Sequence, residues 1–329
     1  MTLQQIHIKK AERPRLGVIC LTILLLFCIA LMLKRADVAA RCMREGLSLC
    51  ARAVVPSLFP FMVLSELLVT SGAGEWLSIP LERHLGKLLG LSRAGCCAVL
   101  LGLLCGFPTG ARCAILAYQK QAIDRSECER VLACSSIPSS AFLISTVGTT
   151  LWKNAKFGIL LYIVAILSAI LSGFFIYAMQ KRKNRSNIQR PPSHPAKVHF
   201  EIGMFPTAIK NATLSTLLIC AYVVFFCTLT GTVELVINRF AESKTIHAIL
   251  SAALELSGGV DAAAKLQNRK LGAILTGAAV GWSGLSVHCQ MLSLCDGIDL
   301  SPRPYLKAKI LQTAICALAM WMLYHFTIG

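Results

Sequence analysis

Acidic residues are scarce in this chain: 16 Asp and Glu stand against 33 Lys and Arg in 329 residues, a formal net charge of +17. Charged residues of both signs make up only 15% of the sequence and hydrophobic ones 55%. A soluble domain carries about a quarter charged residues, so this balance excludes an ordinary soluble fold. Aromatic residues, at 7%, do not interleave with the basic ones, which argues against a nucleic-acid surface. Enzyme signatures are missing as well. There is no H-E-x-x-H, no phosphate-binding P-loop and no G-x-S-x-G, and Gly281-Trp282-Ser283-Gly284-Leu285 is not a nucleophile elbow. Among fifteen cysteines no C-x-x-C occurs, and Cys96-Cys97 has no second pair at zinc spacing. No enzyme, metal site or cofactor is expected, and the cysteines read as small buried hydrophobes.

Long apolar runs are what the chain does have. They cover roughly 16–33, 46–70, 95–118, 131–151, 157–179, 212–233, 246–264, 271–294 and 306–326. The first follows Lys9, Lys10, Arg13 and Arg15 and has the length of a spanning helix. Lys34-Arg35 follows it rather than a small-residue cleavage site, so it reads as a retained span, not a signal peptide. Basic residues gather between the runs, as the positive-inside rule requires of cytoplasmic loops. Lys181, Arg182, Lys183, Arg185, Arg190 and Lys197, with Pro191, Pro192 and Pro195, mark a flexible cytoplasmic linker. The N-terminus is then cytoplasmic, although Lys34, Arg35, Arg41 and Arg44 fall on the wrong side.

Four apolar runs are interrupted. Gly106-Phe107-Pro108-Thr109-Gly110-Ala111-Arg112 breaks one and Ser135-Ser136-Ile137-Pro138-Ser139-Ser140 the next. After the linker, Leu256-Ser257-Gly258-Gly259 and then residues 281–288 repeat that order. Backbone that leaves the helix at membrane depth survives only inside protein or against a water-filled cavity. The order predicts an all-helical, polytopic membrane protein of two inverted repeats. Each has three spans and a re-entrant helical hairpin, and one extra span precedes them. Its parts are 1–40 (basic tail and first span), 41–180 (first repeat), 181–206 (linker) and 207–329 (second repeat). The first repeat has prolines at its breaks (Pro108, Pro138), whereas the second relies on Gly and Ser.

Half-helices that start at such breaks point free amides at a cavity, which suits an anion, while freed carbonyls and hydroxyls suit a cation or a polar solute. The candidate solute contacts are Gly106, Thr109, Gly110, Arg112, Ser136, Ser139, Ser140, Ser257, Gly258, Gly259, Ser283, Ser286 and His288. Arg112 is a candidate partner for an anion, or a residue that snorkels to headgroups. Glu66 and Glu255 lie in apolar runs and, with His288 after the second Ser-rich break, are candidates for carrying a coupling proton; Glu255, just before Ser257-Gly258-Gly259, is the better placed. The competing account of isolated Ser and Gly is close helix packing. Pro56 and Pro60 read as a structural kink.

Three segments carry a resemblance. Residues Val55 to Glu66 (VPSLFPFMVLSE), Gly102 to Arg112 (GLLCGFPTGAR) and Gly284 to Gln290 (GLSVHCQ) resemble sporulation integral membrane proteins of the YlbJ type. The likeness runs in motif order over about residues 41–326. It implies the wider gate, or nucleoside-recognition, family, which is similar to concentrative nucleoside transporters with paired hairpins and broken helices. It further implies a role in spore formation, with the dicarboxylate dipicolinate as cargo, in the cell membrane or outer forespore membrane. The expected partners are a small anionic solute, membrane lipid and a coupling cation, with a homo-oligomer left open. Two alternatives stand beside this: a sodium- or proton-coupled carrier of nucleosides or other small polar solutes, and a non-transporting scaffold for the spore envelope.

Overall fold

The computed structural model describes residues 16–183, 198–237 and 243–326. The basic N-terminal tail and most of the linker expected at 181–206 lie outside the described residues. Helix α1 (Leu16–Lys34) is apolar along its length. A second helix runs from Ala36 to Thr70 as α2 (Ala36–Leu49), a π turn (Cys50–Val54) and α3 (Val55–Thr70). Pro56 and Pro60 lack amide protons, and the wider π turn lies just before them, so the helix continues past both. Short helices α4 (Ala73–Leu77), α5 (Ile79–Leu81) and α6 (Lys87–Leu89) lead to α7 (Arg93–Cys105) and α8 (Phe107–Gln119). Next come α9 (Arg125–Ser135), a π-helical segment (Phe142–Leu151) and α10 (Ala155–Lys183). The second half holds α11 (Met204–Ile237), α12 (Lys244–Leu254), α13 (Leu256–Ala264), α14 (Arg269–Trp282), α15 (Gly284–Leu294) and α16 (Pro302–Leu323). There is no strand among the described residues.

Among the described residues, four helical stretches are long and apolar enough to cross a bilayer: Ala155–Arg182, Met204–Glu234, Arg269–Leu294 and Pro302–Phe326. A fifth is counted if Ile79–Leu89 and Arg93–Cys105, bent by 100°, form one broken span. The chain is a multi-pass integral membrane protein. On α10 the two faces are plain: Leu167 and Leu171 point outward and exposed, while Ser168 and Ser172 are buried. In lipid that division suits helices whose small and polar residues mediate packing.

The apolar run expected to begin near residue 46 lies in a helix that begins at Ala36 instead. Val38, Cys42 and Gly46 recur every fourth residue and are buried, while Arg41 and Arg44 stay exposed, so the charged stretch is the outer face of a packed helix. The buried face meets α11. A Cβ on Gly46 would stand 3.1 Å from the Val224 Cα, and Gly231 lies against Cys42. Further on, the Thr216 hydroxyl reaches the Met62 sulfur (3.6 Å) and the Asn211 amide donates to Glu66 (2.7 Å). Numbers rise on one helix as they fall on the other, so the two run antiparallel. The last helices of the halves do the same: Ser168 meets Cys316 (3.2 Å), Ser172 meets Gln312 (2.8 Å) and Ile176 packs with Ala308.

Between these pairs lie two helical hairpins. α7 and α8 reverse at Gly106, which takes φ +97°, a region that costs a side chain but not glycine. α12 and α13 reverse at Glu255. The second reversal was expected at Ser257-Gly258-Gly259. Those residues are helical, and Gly259 instead lets α13 lie directly on the Ala252 backbone of α12.

Candidate functional site

Each hairpin tip rests on the break of the helix that follows it. In the first half the Ile137 carbonyl accepts from the Phe107 amide (2.8 Å), and a Cβ on Gly106 would stand 3.0 Å from the Ser139 nitrogen. In the second half a Cβ on Gly284 would stand 3.0 Å from the Glu255 Cα. Sequence accounts for both breaks. Pro138 cannot donate to a helix turn and keeps Ile137 out of the helical region. Ser139 then restarts the chain, its hydroxyl accepting from the Phe142 amide (3.2 Å). At the second break Ser283 and Gly284 take φ +71° and +80°, ending α14 and opening α15.

Carbonyls exposed at the hairpin tips need donors, because four at each helix end have none inside the helix. The Leu104 carbonyl takes the Ser140 hydroxyl (2.9 Å) and the Leu103 carbonyl the Tyr162 hydroxyl (3.0 Å). At the second tip Trp282 donates its indole N–H to Ala253 (3.0 Å). The amides opening α13 meet the chain's own carboxylate, since Glu255 Oε2 accepts from Gly258 N–H (2.6 Å). A side chain thus stands where a solute anion was expected.

A cavity of about 1770 Å³ opens beside these tips. Its walls come from α2, the π-helical segment after the first break, α11 and the α12–α13 hairpin. Of the residues singled out in the sequence, Ser140, Glu255, Ser257 and Gly258 line it. The wall also carries Glu45, Glu234 and Asp261 against Arg52, Lys244, Lys265 and His247. His247 and Glu234 pair at 2.8 Å, and Lys265 pairs with Asp261. With Glu255 engaged at the α13 amides, Arg52 and Lys244 outnumber the remaining acid, Glu45.

Arg112 and Glu66 do not reach this cavity. They face each other at 3.5 Å, and Arg112 also donates to Ser215 (2.5 Å) and the Asn211 carbonyl (3.4 Å). With Thr109 they line a separate small pocket between α3, α8 and α11. Gly106 and Gly110 serve the first hairpin, Gly259 the second, and Ser136, Ser139, Ser283, Ser286 and His288 are buried behind the cavity wall. His288 Nδ1 shares a 2.7 Å hydrogen bond with the Tyr305 hydroxyl, and Ser286 accepts from Gln290 (3.2 Å). Among the described residues no three His, Cys, Asp or Glu side chains gather as metal ligands would.

Lys309 is a buried cation that the sequence motifs do not single out. It is wholly buried on α16 and donates to the Ser136 carbonyl of the first break (2.8 Å), the Ser283 hydroxyl of the second (2.8 Å) and Gln312 Oε1 (3.1 Å). Gln312 in turn donates to Ala133 and Ser172. One ammonium therefore ties both broken helices together. The available signal was Lys309 itself, the fourth residue of the apolar run at 306–326 and the second cation in it after Lys307.

The chain is 24% identical to the sporulation integral membrane protein YlbJ of Bacillus subtilis (strain 168), over 91% of its own length and 81% of that protein's. That likeness supports a YlbJ-type assignment. No protein-family model matches it, and no solved structure does. The motifs behind the resemblance fall on structural elements with evident jobs: the proline-bearing α3, the first hairpin, and the start of α15 behind Lys309.

Proposed function

We propose that this protein is a membrane transporter acting in spore formation, with two inverted repeats that alternate access to a central site for a small anionic solute. The observation that carries the reading is the repeated contact of hairpin tip on helix break, Gly106 on Ser139 and Glu255 on Gly284. Irregular backbone is expensive in a bilayer, so two matched sets of it beside a cavity fit a substrate path better than a scaffold. Inverted repeats are supported by the antiparallel pairing of the first helices of each half and of the last. On this reading both hairpins are re-entrant and the gate-family architecture holds.

Dipicolinate is the proposed cargo. The YlbJ-type resemblance supplies that expectation, and Arg52 and Lys244 give the cavity wall two cations for two carboxylates. The test is flux into liposomes holding the purified protein, with dipicolinate and a nucleoside offered separately. Dipicolinate uptake that Ser145→Trp blocks supports the proposal, because Ser145 is exposed on the cavity wall and its replacement leaves the core alone. Nucleoside uptake alone would move the cargo to the other class. Folded protein that carries neither would make it a scaffold.

A further inference from the structure

Where two broken helices meet, their freed oxygens make the kind of place at which a transporter holds a coupling cation. Here the oxygens are the Ser136 carbonyl and the Ser283 hydroxyl, one from each half, with Gln312 Oε1 beside them. A protein nitrogen already sits among them. We propose that the Lys309 ammonium is the resident cation of this site, and that the proton it carries replaces a sodium ion in coupling solute movement. This rests on the transport reading above.

The surroundings suit a proton rather than a fixed ion pair. All three ammonium hydrogens have acceptors, yet no carboxylate pairs with Lys309 among the described residues. A buried charge without a counter-ion is costly, whereas a lysine can shed its charge by releasing one proton. The titratable groups facing it are His288 from α15 and Cys316 on α16 itself. The His288 ring is tied to Tyr305, and Cys316 to Ser168 of α10. The elements α9 and α14 meet the ammonium with neutral groups, the Ser136 carbonyl and Ser283, and α10 reaches it through Ser172 and Gln312.

Loss of the proton has one local consequence. The amine keeps two N–H bonds and gains a lone pair, so one of its three partners must become a donor. A carbonyl and an amide oxygen only accept; Gln312 has committed its N–H groups to Ala133 and Ser172. Ser283 alone can turn. Its hydroxyl now donates to the Val280 carbonyl (3.2 Å) and would swing to Lys309, freeing a carbonyl at the end of α14. The protonation state of Lys309 is thereby felt at the break against which the Glu255 tip rests.

The deciding experiment uses the purified full chain in liposomes that hold a pH-sensitive dye. With dipicolinate as the solute and sodium replaced by choline, entry should continue at an unchanged rate and move protons with it. Accumulation should change about tenfold per unit of imposed pH difference if one proton moves with each solute. Lys309→Met should uncouple the two, leaving any solute entry insensitive to pH difference. Solute entry that needs sodium, or that moves no protons in the unsubstituted protein, overturns the assignment while leaving transport intact. Absence of flux under every gradient overturns both, and neither result depends on whether the variant folds.

Discussion

Gly102 and Gly110 face each other across the first hairpin so closely that a Cβ on Gly110 would stand 2.6 Å from the Gly102 Cα. The same Cβ would stand 2.8 Å from the Ser135 Cβ, so α7, α8 and the end of α9 all meet at this point. Gly110→Leu should separate the three helices and lower the unfolding temperature in detergent, at a cost at or above the roughly 1–3 kcal/mol of overpacking. Unfolding at the parent temperature would show that the helices are not packed this way.

The helix pair α14–α16 depends on a similar stripe. A Cβ on Gly277 would stand 2.7 Å from the Cys316 carbonyl, and one on Gly281 would stand 2.6 Å from the Thr313 Cα. Glycines four apart let one helix press on another, and this pressure delivers Lys309 to Ser283. Gly281→Val should push α16 outward and destabilise the fold by about 1–3 kcal/mol. Flux should fall with it, measured beside a melting curve. A variant as stable and active as the parent would remove the reason given for where Lys309 lies.

Arg112 and Glu66 are one another's partners, half-buried at 3.5 Å. Asn211 also holds Glu66 and Ser215 holds Arg112, so either residue loses only part of its network when the other is removed. A double-mutant cycle with Arg112→Met and Glu66→Gln should give a coupling energy of about 1 kcal/mol in unfolding measurements. The KM for solute should stay within a few-fold of the parent. A large rise in KM with stability unchanged would restore Arg112 to direct anion binding.

Glu255 stands at the N-terminus of α13 and accepts from Gly258. Glu255→Ala should cost about 1 kcal/mol, the usual value of a lost cap. It should also leave those amides open to an added carboxylate or phosphate, so the variant's melting temperature should rise with the anion when the parent's does not. Glu255→Gln retains one acceptor oxygen and should recover most of the stability. Equal responses of parent and variant to the anion would mean the amides are not an anion position.

The breaks were the most readable part of this chain. Pro108, Pro138 and the glycines near 106 and 284 prescribe departures from the helix by local sterics alone, and the departures occur there. Glu255 was read as a buried carboxylate near a break rather than as the tip itself. Ser-Gly-Gly looked the more flexible sequence, but tips are settled by which turn lets the two arms pack, and Gly259 was needed for that contact. Arg41 and Arg44 fall between the apolar runs because their charge masks the four-residue burial period of Val38, Cys42 and Gly46.

By itself the sequence determined the solvent and the rhythm: too few charges for water, enough apolar length for several crossings, and four interruptions in a repeated order. Those properties are local, since hydropathy and backbone sterics act within a turn or two of the residue that bears them. Only the tertiary structure decided which polar groups share a space. It joined Arg112 to Glu66 away from the cavity, and it brought Ser136 and Ser283 to one lysine from segments far apart in the chain. A buried charge draws its acceptors from whatever elements packing sets beside it, and no periodicity along the chain records that choice.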